Sequence, residues 1–507
     1  MTRTGPSARL GTRPDLDAVV VGAGPNGLAA ALTLAEAGRR VRLYEAASEP
    51  GGGCRTAELT LPGHLHDVCS AVQALAVVSP FFRELDLDAL GVRLRVPEIS
   101  YAQPLDGGRA AVAYRDLDRT VDGLGRDGKA WRRLVAPLVD RAEELLADVL
   151  GDLRHLPRHP LTLARFGAPG LLPVSVLART VFRDGDARAL LAGVGAHSMR
   201  RLTAPLTSAF ALVLAVTAHA GGWPVVEGGS GRLVDALVAR LRALDVEIVC
   251  DSPITSLSQL PPARAVLLDL TPKQLLQLGG DHLPPRYRRS LERFRYGPGV
   301  FKIDYALTEP VPWTDERCRS AGTLHVGGSL EDVEASEADV EAGRHSEAPY
   351  VLVVQSSAVD PTRAPAGGHV LWAYCHVPNG STLDRTEAVE RQLERFAPGF
   401  RDVVAARSTR TAAAYEAYDN NYVGGDINAG LSGLRQAVLG PVPAWSRYRT
   451  PLPGVYLCSS STPPGGGVHG MCGVNAAREA MSREFASDPR QPRRQPDLHS
   501  LPVGDQG

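Results

Sequence analysis

The feature that most constrains this chain is a run of small residues near its start. Ala18-Val19-Val20-Val21 is a short β-branched stretch of the kind seen in a strand covered on both faces. It runs directly into Gly22-Ala23-Gly24-Pro25-Asn26-Gly27. The Ala/Leu-rich stretch Leu28–Ala37 follows as a helix, with Gly38 as its stop. Val41–Tyr44 is a second strand, ended by Glu45. Strand, glycine turn, helix and strand form a βαβ unit, which commits this region to a parallel sheet. Gly22 permits the tight turn, Gly24 lets a pyrophosphate approach the backbone, and Gly27 lets helix and strand pack closely. The helix N-terminus offers unpaired N–H groups and a partial positive charge to phosphate. Glu45 stands where an acid accepts hydrogen bonds from an adenosine ribose. The combination points to a bound dinucleotide; the alternative is a glycine turn in a doubly wound sheet without a ligand.

A second glycine cluster, Gly51-Gly52-Gly53-Cys54-Arg55, lies just beyond the ribose acid. A plain nicotinamide-dinucleotide fold has no use for it. A longer ligand, whose diphosphate continues toward a flavin, would use both the small residues and the arginine. The alternative is a surface loop.

The chain has 507 residues, more than one hydrophobic core usually supports, so several modules are expected. We divide it into 1–16, a disordered N-terminus; 17–60, 225–297 and 446–486, three parts of a dinucleotide-binding domain; 61–224 and 298–445, two parts of a substrate domain, the first a mainly helical cap; and 487–507, a disordered tail. Return of the α/β texture supports this division. Arg232–Leu244 reads as an amphipathic helix, Val246–Cys250 and Ala265–Leu270 as strands, and Gly454–Cys458 as a late strand. Strand-like segments at Gly299–Leu307, Tyr350–Gln355 and Val370–His376 suggest a mixed sheet, with a helix at Thr386–Phe396.

Composition removes some function classes. Lys+Arg is 55 and Asp+Glu 56, a formal charge of −1, which argues against a general nucleic-acid binder. Seven dispersed cysteines without a C-x-x-C pair read as reduced thiols, with neither a zinc site nor a redox disulfide. No metal site is expected. No signal sequence and no apolar run of ~18 residues is visible, so the expected location is cytoplasmic, with peripheral membrane contact left open. Oligomeric state is not readable.

The strand at Gly454–Cys458 enters Ser459-Ser460-Ser461-Thr462-Pro463-Pro464-Gly465-Gly466-Gly467-Val468-His469-Gly470, and Met471–Phe485 is a helix. Too little chain remains for a second nucleotide-binding domain. The loop is therefore read as returning to the first domain to face the same ligand.

These residues carry a resemblance. Gly22–Gly27, Gly51–Arg55 and Pro464–Gly470 resemble the phytoene-dehydrogenase-related flavoproteins, which include bacterial carotenoid desaturases and belong to the wider amine-oxidase-like FAD superfamily. The likeness runs from about Asp17 to Phe485. It implies an α/β fold: a Rossmann-like, discontinuous FAD-binding domain of glutathione-reductase type, with a second mixed α+β substrate domain and a helical cap. It implies FAD as cofactor, with Glu45 on the ribose, and Gly22, Gly24, Pro25, Asn26, Gly27, Gly51, Gly52, Gly53 and Arg55 along the diphosphate. It puts Ile254 at the adenine, and Ser460, Gly466, Gly467 and Val468 against the ribityl chain and flavin. Carotenoid desaturases usually read Gly-Ala-Gly-Thr where this chain has Ser459-Ser460-Ser461-Thr462.

Two residues are candidates for catalysis. Alternation in Tyr296–Tyr305 puts Val300, Lys302 and Asp304 on one face. The segment resembles the strand of monoamine and polyamine oxidases whose lysine holds a water near flavin N5, so Lys302 would serve oxygen chemistry. The alternative is a Lys302–Asp304 pair on an exposed sheet face. His469 would donate to the flavin or act as acid or base, or else bond only to its own loop. His197, His219 and His376 are read as structural, and Trp372 and Tyr374 as core packing with a pocket wall as the alternative. Cys375 and Cys472 invite a covalent flavin link, but no attachment motif accompanies them.

The expected activity is FAD-dependent dehydrogenation of a C–C bond in an apolar small molecule, by hydride transfer to flavin N5, with oxygen or a quinone as electron acceptor. The alternatives are C–N oxidation of an amine and a flavin-binding interaction protein with little turnover.

Overall fold

The computed structural model describes residues 16–151, 157–433, 435–436, 440–443, 446–486 and 488. The expectations of a disordered start and tail fall, apart from Leu16 and Asp488, outside these residues.

Five short strands form a parallel sheet in the spatial order Val455–Leu457, Ala265–Leu268, Ala18–Val21, Val41–Tyr44, Glu247–Val249. The central strand is covered on both faces, and its alternation shows this. Ala18 and Val20 enter one hydrophobic cluster with the helices Pro25–Glu36, Gly231–Ala243 and Met471–Glu484. Val19 and Val21 enter another with Leu275, Leu283 and Leu291, from the helical segment 272–292. Pro25 opens the first helix, where its missing N–H costs nothing. Residues 17–60, 225–297 and 446–486 thus all contribute strands to one sheet.

A second sheet of seven strands runs Val404–Arg410, Gly299–Leu307, His369–Val377, Val351–Val354, Ala321–Val326, Ile99–Leu105, Arg109–Tyr114. Its pairings are antiparallel except for Ala321–Val326 with Ile99–Leu105. Phe301, Ile303 and Tyr305 pack with Val389, Leu393 and Phe396 of the helix Thr386–Phe396. Val300, Trp372 and Tyr374 join the opposite cluster, on the side of the first sheet.

The block 61–224 departs from the expected helical cap. Its hairpin Ile99–Leu105/Arg109–Tyr114 belongs to the seven-stranded sheet. Ile99–Leu105 is buried at every position, so it lacks the polar alternation that marks a half-exposed strand. The remainder of the block is helical from Leu117 to Ala220 wherever regular structure occurs. Among the described residues no single helix is long and apolar enough to cross a membrane.

A buried ionic cluster ties the two sheets together. Arg363, with no solvent exposure, donates to Asp67 Oδ2 and Asp360 Oδ2, each at 2.9 Å. Asp67 Oδ1 accepts from Thr56 Oγ1 at 2.8 Å and from the Ser230 N–H at 2.7 Å. Asp360 Oδ2 also accepts the Gly228 N–H at 2.8 Å. The hairpin after the second glycine cluster, the entry to the helix Gly231–Ala243 and the connection between the strands Val351–Val354 and His369–Val377 share these charges.

Candidate functional site

Glycine brings the first strand and first helix together. A Cβ on Gly27 would lie 2.0 Å from the Gly22 carbonyl oxygen, so only glycine fits that crossing. Glu45 ends the neighbouring strand, and its carboxylate accepts the N–H groups of Ala23 (2.7 Å) and Ala47 (2.9 Å). It thereby fastens the glycine turn to the second strand. Arg55 donates to the carbonyls of Glu49 (2.5 Å) and Pro50 (3.3 Å) and to Tyr418 Oη (3.1 Å), with Glu45 3.5 Å away.

Two cavities follow from this frame. The first is polar and includes Gly22, Glu45, Arg55, Ser252, Ile254 and Gln274 in its wall. The second passes Pro25, Asn26, Gly53, Ser460, Gly467 and Val468 and then turns apolar, against Val72, Leu75, Met199, Leu214, Trp223, Leu352, Val354, Trp372 and Tyr374. Gly24, Gly52, Asp269, Asp419 and Asn421 line both, so the cavities meet at a neck. A Cβ on Gly52 would lie 3.1 Å from the Gly24 Cα, so small residues keep the neck open.

The joined shape fits an extended dinucleotide on observations of the chain itself. The polar part carries Glu45 and Ile254 in its wall, the neck is walled by glycine, and Asn26 Oδ1 is a buried acceptor without a partner among the described residues. Asn26 Nδ2 meanwhile donates to Ser460 Oγ at 3.2 Å, joining the first glycine turn to the C-terminal loop.

Five sequence-derived candidates do not line either cavity: Gly27, Gly51, Gly466, Lys302 and His469. Gly27 is taken up in helix packing, while Gly51 donates its N–H to the Ala23 carbonyl at 2.8 Å. Gly466 packs on Asn428. His469 bonds within its own loop, the second of its two readings. Its Nδ1 accepts the Met471 N–H at 3.0 Å, so the ring proton sits on Nε2, which donates to the Gly465 carbonyl at 3.1 Å. Burial pushes its pKa down to about 4. Both nitrogens are committed to the loop, and this imidazole holds the loop's shape rather than reaching a ligand.

Lys302 also differs from expectation. It does pair with Asp304, but the pair is buried rather than exposed. Its Nζ lies 5.7 Å from the centre of the Trp372 ring, on the sheet face that also carries its cross-strand partner Tyr374, without lining either cavity. Burial lowers the lysine pKa against the opposing pull of Asp304, and burial raises the aspartate against the pull of Lys302. His66 Nδ1 lies 3.5 Å from Asp304 Oδ1, and burial and the nearby Lys302 hold this imidazole down to about 3, hence neutral.

Sequence reasoning missed several wall residues. Asp269 ends the strand Ala265–Leu268 as Glu45 ends its own, and carboxyl ends of parallel strands are where ligands sit, so position alone could have found it. His197, assigned to structure, lines the apolar end. Its Nε2 is 3.0 Å from His325 Nε2, and burial lowers its pKa to about 3. Trp372 and Tyr374 line the cavity as an edge-to-face pair with centroids 5.0 Å apart. Cys375 lies in the cluster on the opposite sheet face, and Cys472 is buried with its Sγ 3.3 Å from the Thr462 carbonyl oxygen. Neither cysteine lines a cavity. Among the described residues no cluster of side chains suits a metal ion.

Comparison with known proteins adds to this geometry. Residues 20–85 match the family model of an NAD(P)-binding Rossmann-like domain. The chain is 26% identical to pyridine nucleotide-disulfide oxidoreductase domain-containing protein 2 of Rattus norvegicus, over 92% of this chain and 93% of the relative. It is 25% identical to the all-trans-zeta-carotene desaturase of Myxococcus xanthus, over 93% and 94%. A redesigned putrescine oxidase shares the fold with a TM-score of 0.60 at 18% identity, over 93% of this chain and 99% of that one. By its motifs, its two-sheet architecture and these relatives, the chain is similar in sequence to carotenoid desaturases and shares the fold of an amine oxidase.

Proposed function

We propose that this oxidoreductase binds FAD along the joined cavities and dehydrogenates a C–C bond of an apolar small molecule held at the aromatic end. One observation carries the reading. Among the described residues, the apolar end has neither a carboxylate nor a cation in its wall, and its imidazole, His197, is neutral. A neutral hydrocarbon-like substrate loses nothing there, whereas an ammonium would be desolvated without a counter-charge. Bound flavin supplies the hydride-accepting centre. The chain's own part is to hold the substrate against Trp372 and Tyr374, to exclude water with Leu214, Leu352 and Val354, and to keep the Lys302–Asp304 pair buried beside those rings. Oxygen or a quinone would take the electrons.

Oxidation of an amine is the second reading. It draws on Trp372 and Tyr374, whose ring faces can receive a cation, and on Lys302 beside them. An anaerobic titration separates the two. Polyenes, isoprenoids and amines are added in turn while the oxidised flavin band at ~450 nm is followed. Bleaching by a polyene or isoprenoid alone is expected. Bleaching by amines alone would replace the first reading with the second, and a bound flavin that no donor bleaches would point to a binding protein.

A membrane-resident substrate would meet the protein at Leu161, Leu171, Leu172 and Val176. These exposed side chains lie on or between the bent helix pair Pro160–Gly170 and Val174–Val181. Co-sedimentation with phosphatidylcholine vesicles, reduced in Leu161→Asp/Leu171→Asp, tests that contact.

A further inference from the structure

The neck between the cavities holds more acid than a diphosphate site should. Asp269 and Asp419 both line it, Glu45 closes the polar side, and Arg55 is the cation in that wall. Asp269 is the most deeply placed, 5% exposed. Its Oδ2 accepts the Gly27 N–H at 2.9 Å, inside the first turn of the helix Pro25–Glu36. Its Oδ1 has no hydrogen-bond partner among the described residues, although the side chain lines both cavities. A Cβ on Gly24 would lie 2.9 Å from Oδ2, so the carboxyl flanks the narrowest part of the neck. A diphosphate threading the neck therefore passes directly beside it. Two anionic oxygens at hydrogen-bond distance require a proton between them.

We propose that Asp269 acts in the dinucleotide complex as a neutral carboxylic acid, accepting the Gly27 N–H through one oxygen and donating its own O–H to a diphosphate oxygen through the other. This rests on the flavoprotein reading above and adds a proton to it. The surroundings agree. Burial pushes Asp269 up to about 8, the charges of Asp419 and Glu45 push the same way, and the Gly27 N–H opposes them. Cys458 and Cys472, from the strand and helix packed behind, are buried thiols with raised pKa and bring no cation. Asn421 donates to the Asp269 main-chain carbonyl at 2.9 Å and leaves the carboxyl alone. The ligand-free site is then already protonated at neutral pH and loses its proton above about 8, after which binding must recover it.

The experiment measures FAD binding to the full-length apoprotein by flavin fluorescence and by calorimetry in buffers of different ionisation heat. The dissociation constant should be level from pH 6.5 to 7.5 and then weaken, approaching tenfold per pH unit above about 8, with uptake approaching one proton per FAD. Adenosine diphosphate should show the same slope, which separates it from ionisation of the flavin ring. Asp269→Asn, which keeps an acceptor for Gly27 and a donor for phosphate, should bind FAD with a level profile. A wild-type profile that is level, without proton uptake, would overturn the proposal and leave the flavoprotein reading standing. Binding that requires Mg²⁺ and fails in EDTA would overturn it in favour of a cation bridging Asp269 and Asp419. Failure of FAD to bind at any pH would overturn both readings.

Discussion

The two ends of the joined cavity are built in opposite ways. The polar end is framed by backbone of fixed shape at Gly22, Gly24 and Gly52, with Glu45 and Arg55, and is completed by the stretches 252–255, 269–278 and 417–421. The apolar end comes from register. Leu352 faces Tyr374 and Val354 faces Trp372 across one strand pair, while His197, Met199, Leu214 and Trp223 arrive from the helical block and the loop after it. Part of the polar end is thus fixed by a short glycine-rich frame, whereas the apolar end is assembled from side chains brought together at long range.

The largest test of that contrast is Gly24→Val. Its side chain would collide with Asp269 and fill the neck, so FAD affinity should fall by more than ~100-fold, a loss of more than ~2.7 kcal/mol. Equilibrium dialysis against FAD measures it, and near-normal affinity would break the distinction. Arg363→Met probes the link between the ends. It strands Asp67 and Asp360 in a dry interior, and a cost of ~3–5 kcal/mol is expected in denaturant unfolding. Trp372→Ala touches the apolar end alone. Reduction of the flavin by its donor should slow ~10-fold or more, with FAD affinity within about twofold, since the ring lines the apolar wall. Stopped-flow bleaching and dialysis read the two separately.

Acid should act on the fold as a whole. His66 and His197 are held down to about 3, and His219 and His469 to about 4, all by burial. Unfolded chains would protonate these rings near their ordinary value of 6.5, so the unfolded state binds more protons below it. Their contribution to stability is therefore present above pH 6.5 and lost as pH falls toward the folded values. The slope is up to ~1.4 kcal/mol per pH unit for each ring. Melting temperature measured from pH 7.5 to 5 should fall steadily, and His219→Gln should flatten the decline by one ring's share. The smallest expected effect is in Lys302→Met/Asp304→Leu. Replacing both partners should cost less than Lys302→Met alone, which leaves Asp304 buried without its cation.

How much was legible follows from the same contrast. The glycine turn, the ribose acid and the long strands Gly299–Leu307 and His369–Val377 show in local pattern because backbone geometry and alternation dictate them. Ile99–Leu105 did not, since a strand covered on both faces has no alternation. Lys302 and Asp304 read correctly as a pair on one face, yet their burial depends on what packs over that face. His469 looked catalytic because it sits in a glycine loop; only its partners, Gly465 and Met471, reveal a brace. His197 looked ordinary because its place in the wall depends on strands more than a hundred residues away.

The Arg363 cluster has a consequence for how the chain can be divided. Asp67, Ser230 and Asp360 come from three separated stretches, joined through the Asp67 carboxylate and the Arg363 guanidinium. A fragment carrying the nucleotide-binding sheet alone would expose Asp67 without its guanidinium, and one carrying the other sheet would keep the guanidinium without that acid. Trimming the polypeptide to either half should therefore yield insoluble material, and heating the intact chain should produce a single endotherm. The two-sheet body should then fold as one unit, with substrate preference set by the side chains of the apolar wall.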